Sequence, residues 1–399
     1  MTQCQFDNIQ ILGQEELKLA VIGPVYPYRG GISHYTSMLS HSLMDSDHET
    51  HVISFQRQYP AWLYPGKSDK DPSQVGLRLE AKYTLDPIYP WTWFNTAKNI
   101  KEINPDGVII QWWTTFWAPA YWVLIRRLKK FGLKTVFVIH NVIPHEALPW
   151  DKWIAYNVLR LGDAHLVQAA NEEDRLLSLI PDAHPTLCPM PVFNLFPVEN
   201  SITNNEAKEI LGVRTDIPLL LFFGIVRPYK GLKHAIEVVS ILKNNGVKVQ
   251  LIVAGEFWDE IAAYEDQISH LRLNDQVTLV NKYIPDEEVG SYFTAADVFV
   301  APYIDGTQSA SVKTALSFNL PIVVTQCVAD EILRNNELTR VVPNGDSEAL
   351  ADAINELISL NLPDIKSNYQ DDESWKKQVL AIENLVRQAQ PGSYQQVLK

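Results

Sequence analysis

Short apolar runs alternate with longer amphipathic stretches along the whole chain. In the first half the runs are "KLAVIGPV", "HVISF", "GVIIQW", "KTVFVIHN" and "AHLVQA". In the second half they are "LLLFFGI", "VQLIVAG", "QVTLVNKY", "VFVAPY" and "PIVVT". Each is short, rich in β-branched residues and followed by a polar or glycine-containing turn, so each reads as a buried strand. The stretches between them carry helical periodicity, and the alternation predicts parallel sheets covered by helices on both faces. Between the two sets, "LCPMPVFNLFPVENSITNNEAKEILGV" is rich in Pro and Asn and lacks a strand pattern, which marks a linker. Two open α/β domains in tandem leave a cleft at the C-terminal ends of their strands, where such sheets bind ligands.

Length agrees with this division, because 399 residues exceed what one hydrophobic core usually supports. No apolar run is long enough to span a bilayer, and "MTQCQFDNIQ" lacks the basic start and apolar core of a secretory signal. Cys4, Cys188 and Cys327 are few and far apart, which argues against a disulfide framework and a zinc site. A reducing, cytoplasmic setting is expected. The net charge of −13 argues against non-specific nucleic-acid binding. It is unevenly spread: residues 1–200 hold 17 Lys and Arg against 20 Asp and Glu, and the remainder holds 17 against 27. Nine of the eleven tryptophans precede residue 200, so the two halves differ in surface chemistry.

Candidate chemistry begins at "LLLFFGIVRPYKGLKHAIEVV", where a buried strand stops at Gly224 and opens into a helix. Arg227 and Lys230 lie in the turn, beside the helix N-terminus. Free backbone N–H groups, the positive helix end and two cations then converge, an arrangement that suits a diphosphate. The alternative is a solvated turn with two surface cations. Near the start, "VIGPVYPYRGGISHYTSML" places Gly30 and Gly31 after a strand and ahead of a helix, where the backbone can approach a phosphate or sugar closely. The G-x-G-x-x-G of a dehydrogenase is absent. In "VFVIHNVIPHE", His140 follows directly on a strand at the edge of the expected cleft, with His145 and Glu146 nearby.

The segment "FFGIVRPYKGL" resembles the G-x-x-x-x-x-K-G donor-phosphate turn of the retaining glycosyltransferases of the GT-B fold, in particular glycosyltransferase family 4. The resemblance extends over nearly the whole chain and takes in the double glycine and His140. It implies a GT-B fold: two Rossmann-like parallel-sheet domains facing across a cleft. An acceptor-side domain is expected over residues 1–195 and a nucleotide-sugar domain over 196–374. The stretch 375–399, which contains part of "DESWKKQVLAIENLV", would cross back to the first domain. His140, Arg227 and Lys230 are implied as the catalytic group, His140 lining the donor sugar and facing the acceptor. Gly30, Gly31 and Gly224 would contact the donor, and the backbone at Lys282, Tyr283 and Ile284 would face its base.

One segment departs from the family. "APYIDGTQSASVKTALSFNLPIVVT" lacks the usual pair of glutamates (E-x7-E), the second of which binds the ribose. Registering on Ala315 and Pro321 puts Thr314 at the second position and Gly306, beside Asp305, at the first. A T-Q-S turn stands in the place of the acidic loop. Backbone N–H groups of Gln308, Ser309 and Ala310 can still reach phosphate or hydroxyls, and Thr314 or another group must take over the ribose.

The implied activity is metal-independent hexosyl transfer from a nucleoside-diphosphate sugar to a hydroxyl of a glycan or lipid-linked acceptor. No cofactor and no metal ligands are expected, since no ligand spacing is recognisable and no carboxylate pair matches a glycosidase. Two other readings stay open: a nucleotide-sugar epimerase on the same architecture, and a degenerate nucleotide-sugar-binding subunit. "FWAPAYWVLIRRLKKFGLK" reads as a crossover helix whose aromatics and cations can also meet an anionic membrane surface. The aromatic stretches "FQRQYPAWLYPGKSD" and "QWWTTFWAP" are expected to border the cleft.

Overall fold

The computed structural model describes residues 15–60, 62–74, 76–144, 146–196, 202–360 and 372–389. His145, the centre of the Pro- and Asn-rich segment and the last ten residues lie outside them. The first sheet holds β1 Lys18–Ile22, β2 Glu49–Phe55, β3 Ala81–Leu85, β4 Gly107–Trp112, β5 Thr135–Ile139, β6 Ala164–Val167 and β7 Thr186–Leu187. Helices α1 Gly31–Asp45, α2 Pro90–Ile103, α3 Ala118–Lys130, α4 Asp151–Leu159 and α5 Ala170–Leu179 belong with it.

The second sheet holds β8 Leu219–Phe223, β9 Gln250–Ala254, β10 Val277–Val280, β11 Val298–Ala301, β12 Ile322–Thr325 and β13 Thr339–Val342. Its helices are α6 Asn204–Ile210, α7 Leu232–Asn244, α8 Ile261–His270, α9 Asp286–Ala295, α10 Ala310–Ser317, α11 Glu331–Asn335 and α12 Ser347–Ser359. A last helix, α13, spans Asp372–Gln388.

Both sheets are parallel throughout, in the orders β3-β2-β1-β4-β5-β6-β7 and β10-β9-β8-β11-β12-β13. In each the order reverses beside the first strand, at β1/β4 and at β8/β11, and the crevice at the strand C-termini opens there. This is the two-domain architecture that the hydrophobic pattern predicts. All ten strands read from the sequence are present. Three further strands, β3, β7 and β13, were not legible, and all three are sheet edges. An edge strand is covered less: β3 reads "AKYTL", with Lys82 and Tyr83 exposed, and β7 has only two half-buried residues. Neither can show a buried apolar run.

Right-handed crossovers fix which face each helix covers. The connections β1→β2 and β2→β3 run one way along the first sheet, whereas β3→β4, β4→β5 and β5→β6 run the other. Helices α2, α3 and α4 therefore share one face, over a core that includes Ile110, Trp112, Trp117, Tyr121 and Phe137. Helix α1 covers the opposite face together with α13, whose Trp375, Ile382 and Val386 pack with Leu19, Tyr35 and Ile109. The contact is close: a Cβ added to Gly107 would lie 2.6 Å from a Val386 methyl carbon. Two polar links hold α13 there, from the Tyr35 hydroxyl to Gln378 Oε1 (2.9 Å) and from Lys134 Nζ to the Val386 carbonyl (2.9 Å).

Candidate functional site

A cavity of about 330 Å³ lies between the two sheets. Its lining includes Gly30, Gly31, His140, Gly224, Arg227, Lys230, Tyr283, Ile284, Gln308, Ser309, Ala310 and Thr314 from the sequence candidates; Lys282 and Glu146 are not part of it, and His145 lies outside the described residues. They come from five separate loops and helix starts, and the chain's topology alone brings them together.

The turn that carries Arg227 and Lys230 follows β8. Gly224 holds φ 104°, and a side chain there would press on Ser311 Oγ and Lys230 Nζ. The turn 228–230 is a short 3-10 segment that begins at a proline, and α7 starts two residues after Lys230. Among the described residues no carboxylate pairs with Lys230; its Nζ sits 5.6 Å from the centroid of the Tyr303 ring. Burial, helped by the neighbouring Arg227 charge, pulls its pKa below the usual lysine range. Arg227 pairs with Glu146 from the other half and lies 5.3 Å from the centre of the Trp258 ring.

Two helix N-termini meet across the cavity. Gly31 opens α1 and Ala310 opens α10, and the residues around both line the same space. Ser309 caps α10 through a bond from the Val312 N–H. Thr314, on the first turns of that helix, is buried and donates its hydroxyl to the Ala310 carbonyl (3.0 Å), which leaves its oxygen able only to accept further bonds. The T-Q-S turn is also an inter-sheet contact. Gln308 Nε2 donates to the His140 carbonyl (3.2 Å) and to Gln168 Oε1 (3.0 Å), and the Thr307 hydroxyl reaches Asn141 (3.3 Å).

His140 follows β5 and is 1% exposed. Its Nε2 lies 2.8 Å from Gln111 Oε1, and the edge of the ring meets Tyr35 at a centroid distance of 4.8 Å. Nδ1 is buried without a hydrogen-bond partner among the described residues. Burial, opposed by the neighbouring Gln168 amide, drives its pKa down to about 3, so the imidazole is neutral near pH 7. With Nε2–H donating to Gln111, Nδ1 keeps a lone pair that can accept a hydrogen bond.

Sequence reasoning missed three parts of the site. Glu256 and Trp258, from "GEFWDE", line the cavity; Glu256 is buried against Arg29 and accepts from the Lys67 N–H (2.7 Å). Arg29 in turn bonds the Tyr64 hydroxyl (3.0 Å) and lies 5.0 Å from the Tyr283 ring centre. His34, Asp71 and Asp286 form the third part, with ligand-type atoms all within 4.8 Å of one another. Burial opposes the charge on His34, but the hydrogen bond and charge of Asp286, with the charge of Asp71, outweigh it and raise its pKa. When protonated, His34 offsets the two carboxylates. These groups are far apart in sequence, so no local spacing announces them. The one available signal was the set of polar residues flanking strong motifs: Arg29 before the double glycine, and Asp286 three residues past Tyr283.

The aromatic stretches divide. Trp112, Trp117 and Tyr121 are core, whereas Tyr64 lies behind the cavity wall, edge-on to the lining ring of Trp258 at 5.3 Å.

Two parallel-sheet domains with the ligand cavity between them define the GT-B class of proteins. Residues 29–192 match the family model described as Glycosyltransferase Family 4, and residues 217–360 match the model Glycosyl transferases group 1. The chain belongs to this family of glycosyltransferases. It is 23% identical over 181 residues to TuaC of Bacillus subtilis, named for teichuronic acid biosynthesis, a match spanning 45% of this chain and 40% of that relative. The fold is similar to sucrose-phosphate synthase of Thermosynechococcus elongatus (TM-score 0.63, 18% identity, 96% and 99% of the two chains). It is also similar to HepE of Anabaena, solved with UDP and glucose (TM-score 0.65, 14% identity, 96% and 98%).

Proposed function

We propose that the protein is a retaining hexosyltransferase that moves a sugar from a nucleoside-diphosphate sugar to a hydroxyl of a glycan or lipid-linked acceptor. The observation that carries this reading is the convergence of Lys230, Arg227 and the N-termini of α1 and α10 on one cavity that also contains His140. Lys230 is a cation with no paired carboxylate among the described residues, in a site dry enough to lower its pKa, so an anionic ligand relieves its desolvation. The diphosphate would take its place between Lys230, Arg227 and the free N–H groups of the two helix starts. As the glycosidic bond lengthens, negative charge grows on the departing phosphate, and these fixed donors stabilise it more than the ground state. That is a metal-independent role for side chains and backbone dipoles.

His140, neutral and buried, acts in this reading as a hydrogen-bond acceptor to a sugar hydroxyl through Nδ1. The leaving phosphate, held on the same face as the acceptor, receives the acceptor proton. The ribose, without its usual glutamate, meets the α10 start, where Thr314 and Ser311 offer oxygens. UDP and glucose in HepE, a protein of similar fold, support a nucleoside-diphosphate hexose as the donor.

The test is a melting-shift panel of nucleoside diphosphates on the full chain, followed by donor turnover with and without sugar acceptors. A ligand that binds only the native state raises stability with the logarithm of its concentration over its dissociation constant. Transfer that requires an acceptor supports the proposal. Donor conversion without an acceptor marks an epimerase, and nucleotide binding with no turnover on any acceptor marks a binding subunit.

A further inference from the structure

The first domain carries an exposed aromatic and cationic face that the sugar-transfer site does not use. Among the described residues, fourteen of the seventeen exposed large hydrophobic side chains precede residue 200. The most exposed between residues 85 and 160 are Trp91 (60%), Trp150 (57%) and Trp153 (71%), near the N-termini of α2 and α4; Trp122 (42%) lies on α3 between them. These three helices share one face of the sheet, α2 beside α3 and α3 beside α4. Their N-termini follow the C-terminal ends of β3, β4 and β5, the same sheet edge that opens on the cleft. The opposite face is already covered by α1 and α13.

The charge of the segment that builds this face runs against the rest of the molecule. Residues 90–160 hold nine Lys and Arg against four Asp and Glu, in a chain whose net charge is −13. Lys134 and Lys129 turn inward, to the Val386 carbonyl and to Asp163, and the exposed cations of the three helices are Lys98, Lys101, Arg126, Arg127, Lys130 and Lys152. Cations and rings are interleaved: the Arg126 guanidinium lies 4.6 Å from the Trp122 ring centre, and that of Arg127 lies 4.7 Å from Phe94. Tyr89 and Trp91 stack at 4.7 Å. Amphipathic rings combined with basic side chains suit the headgroup layer of an anionic bilayer, where rings enter the interface and cations meet lipid phosphate. A protein partner that selected this face would need an acidic surface studded with apolar pockets. A lipid surface supplies both properties without shape matching.

We propose that the solvent face of α2, α3 and α4 docks the protein on an anionic lipid surface, with the cleft mouth turned toward the bilayer. No helix among the described residues is long and apolar enough to cross a membrane, so this docking is peripheral. Delivery of a lipid-linked acceptor to the cleft rests on the transferase reading; the docking itself does not.

The experiment is co-sedimentation of the full chain with vesicles of phosphatidylcholine alone or mixed with phosphatidylglycerol. Binding to the mixed vesicles only, falling with added salt, is expected. Trp91→Ser with Trp153→Ser, and separately Arg126→Glu with Arg127→Glu, should each weaken it at least about tenfold. An unchanged melting temperature and nucleotide-induced shift in these variants show that they remain folded. Absence of binding, equal binding to both vesicles, or binding that ignores both double variants overturns the proposal. Concentration-dependent dimerisation abolished by the same variants assigns the face to a second copy and also overturns it. Because the assay needs no turnover, its failure is distinct from failure of the transferase reading.

Discussion

A Cβ built on Gly31 lies 3.2 Å from the Cβ of Ala310, so the first residues of two helices from different domains stand in near contact across the cavity. Glycine serves the approach here and not a left-handed backbone angle, since a Cβ would push Ala310 back by a few tenths of an ångström. A Gly31→Val substitution should leave each domain folded and hold the two helix starts apart. Overpacking of this kind costs about 1–3 kcal/mol, which here falls on the closed arrangement. The expected result is a small change in melting temperature and a loss of turnover of about tenfold or more. Ala310→Gly in the same chain should restore part of it. Full activity in the single variant would mean that this approach is not needed for transfer.

Arg227→Ala and Lys230→Ala should each weaken binding of a nucleoside diphosphate by about 1.5–3 kcal/mol, the worth of a charge-assisted contact. The Arg227 change should be the milder, since Arg227 already shares its charge with Glu146. Nucleoside without phosphates should bind parent and variants alike. Titration calorimetry with both ligands checks this, and equal losses for nucleoside and diphosphate would show a collapsed pocket instead.

His140→Asn should stay folded, keep its nucleotide affinity and lose turnover by about a hundred- to ten-thousand-fold. It should also change the acid limb of stability. His140 titrates at about 3 in the folded protein. The unfolded chain therefore takes up a proton near pH 6.5 that the folded one refuses, and stability falls as pH drops below that value. Removing the histidine should flatten this fall by about 1.4 kcal/mol per pH unit. Denaturant midpoints for parent and variant across pH 4–7 measure it, and parallel curves would contradict the buried neutral imidazole.

His34 has the opposite sign. Its pKa is raised in the folded protein, so its contribution is complete below the unfolded value and is lost as pH rises through the folded one. His34→Gln should therefore cost most stability below the unfolded value of about 6.5, and the gap from the parent should close as pH rises above it. Melting temperatures on the acid and alkaline sides decide it. A gap that grows with pH would mean that His34 is neutral between its two aspartates.

What could be read from the chain follows a physical division. The central strands of both sheets announce themselves because they are buried on both sides, and the strand-end glycines and cations because they sit beside those strands. "QVTLVNKY" was legible even though β10 is an edge strand, since Val277 and Val280 keep its β-branched pattern. "AKYTL" was not, because Lys82 and Tyr83 face solvent. The partners of the site residues were less visible. Gln111, inside "GVIIQW", orients His140, and a lone amide in an apolar strand was the only sign of it. Asp71, in a long loop, reaches Tyr283 and His34 through contacts that the linear order does not encode.

The buried Arg29–Glu256 pair ties the first domain to the turn that carries Arg227. The Glu256 carboxylate is held by the first domain, while its backbone carbonyl accepts from the Val226 N–H at 2.9 Å, one residue before Arg227. Trp258, two residues on, returns a bond to the Val226 carbonyl (3.0 Å) and carries the Arg227 guanidinium over its ring. Pulling the halves apart must either strand a buried charge or tug on the short ladder that positions Arg227. If the proposed diphosphate site is correct, separation of the halves and the hold on the diphosphate are one coordinate, and whatever props the cleft open loosens the nucleotide with it.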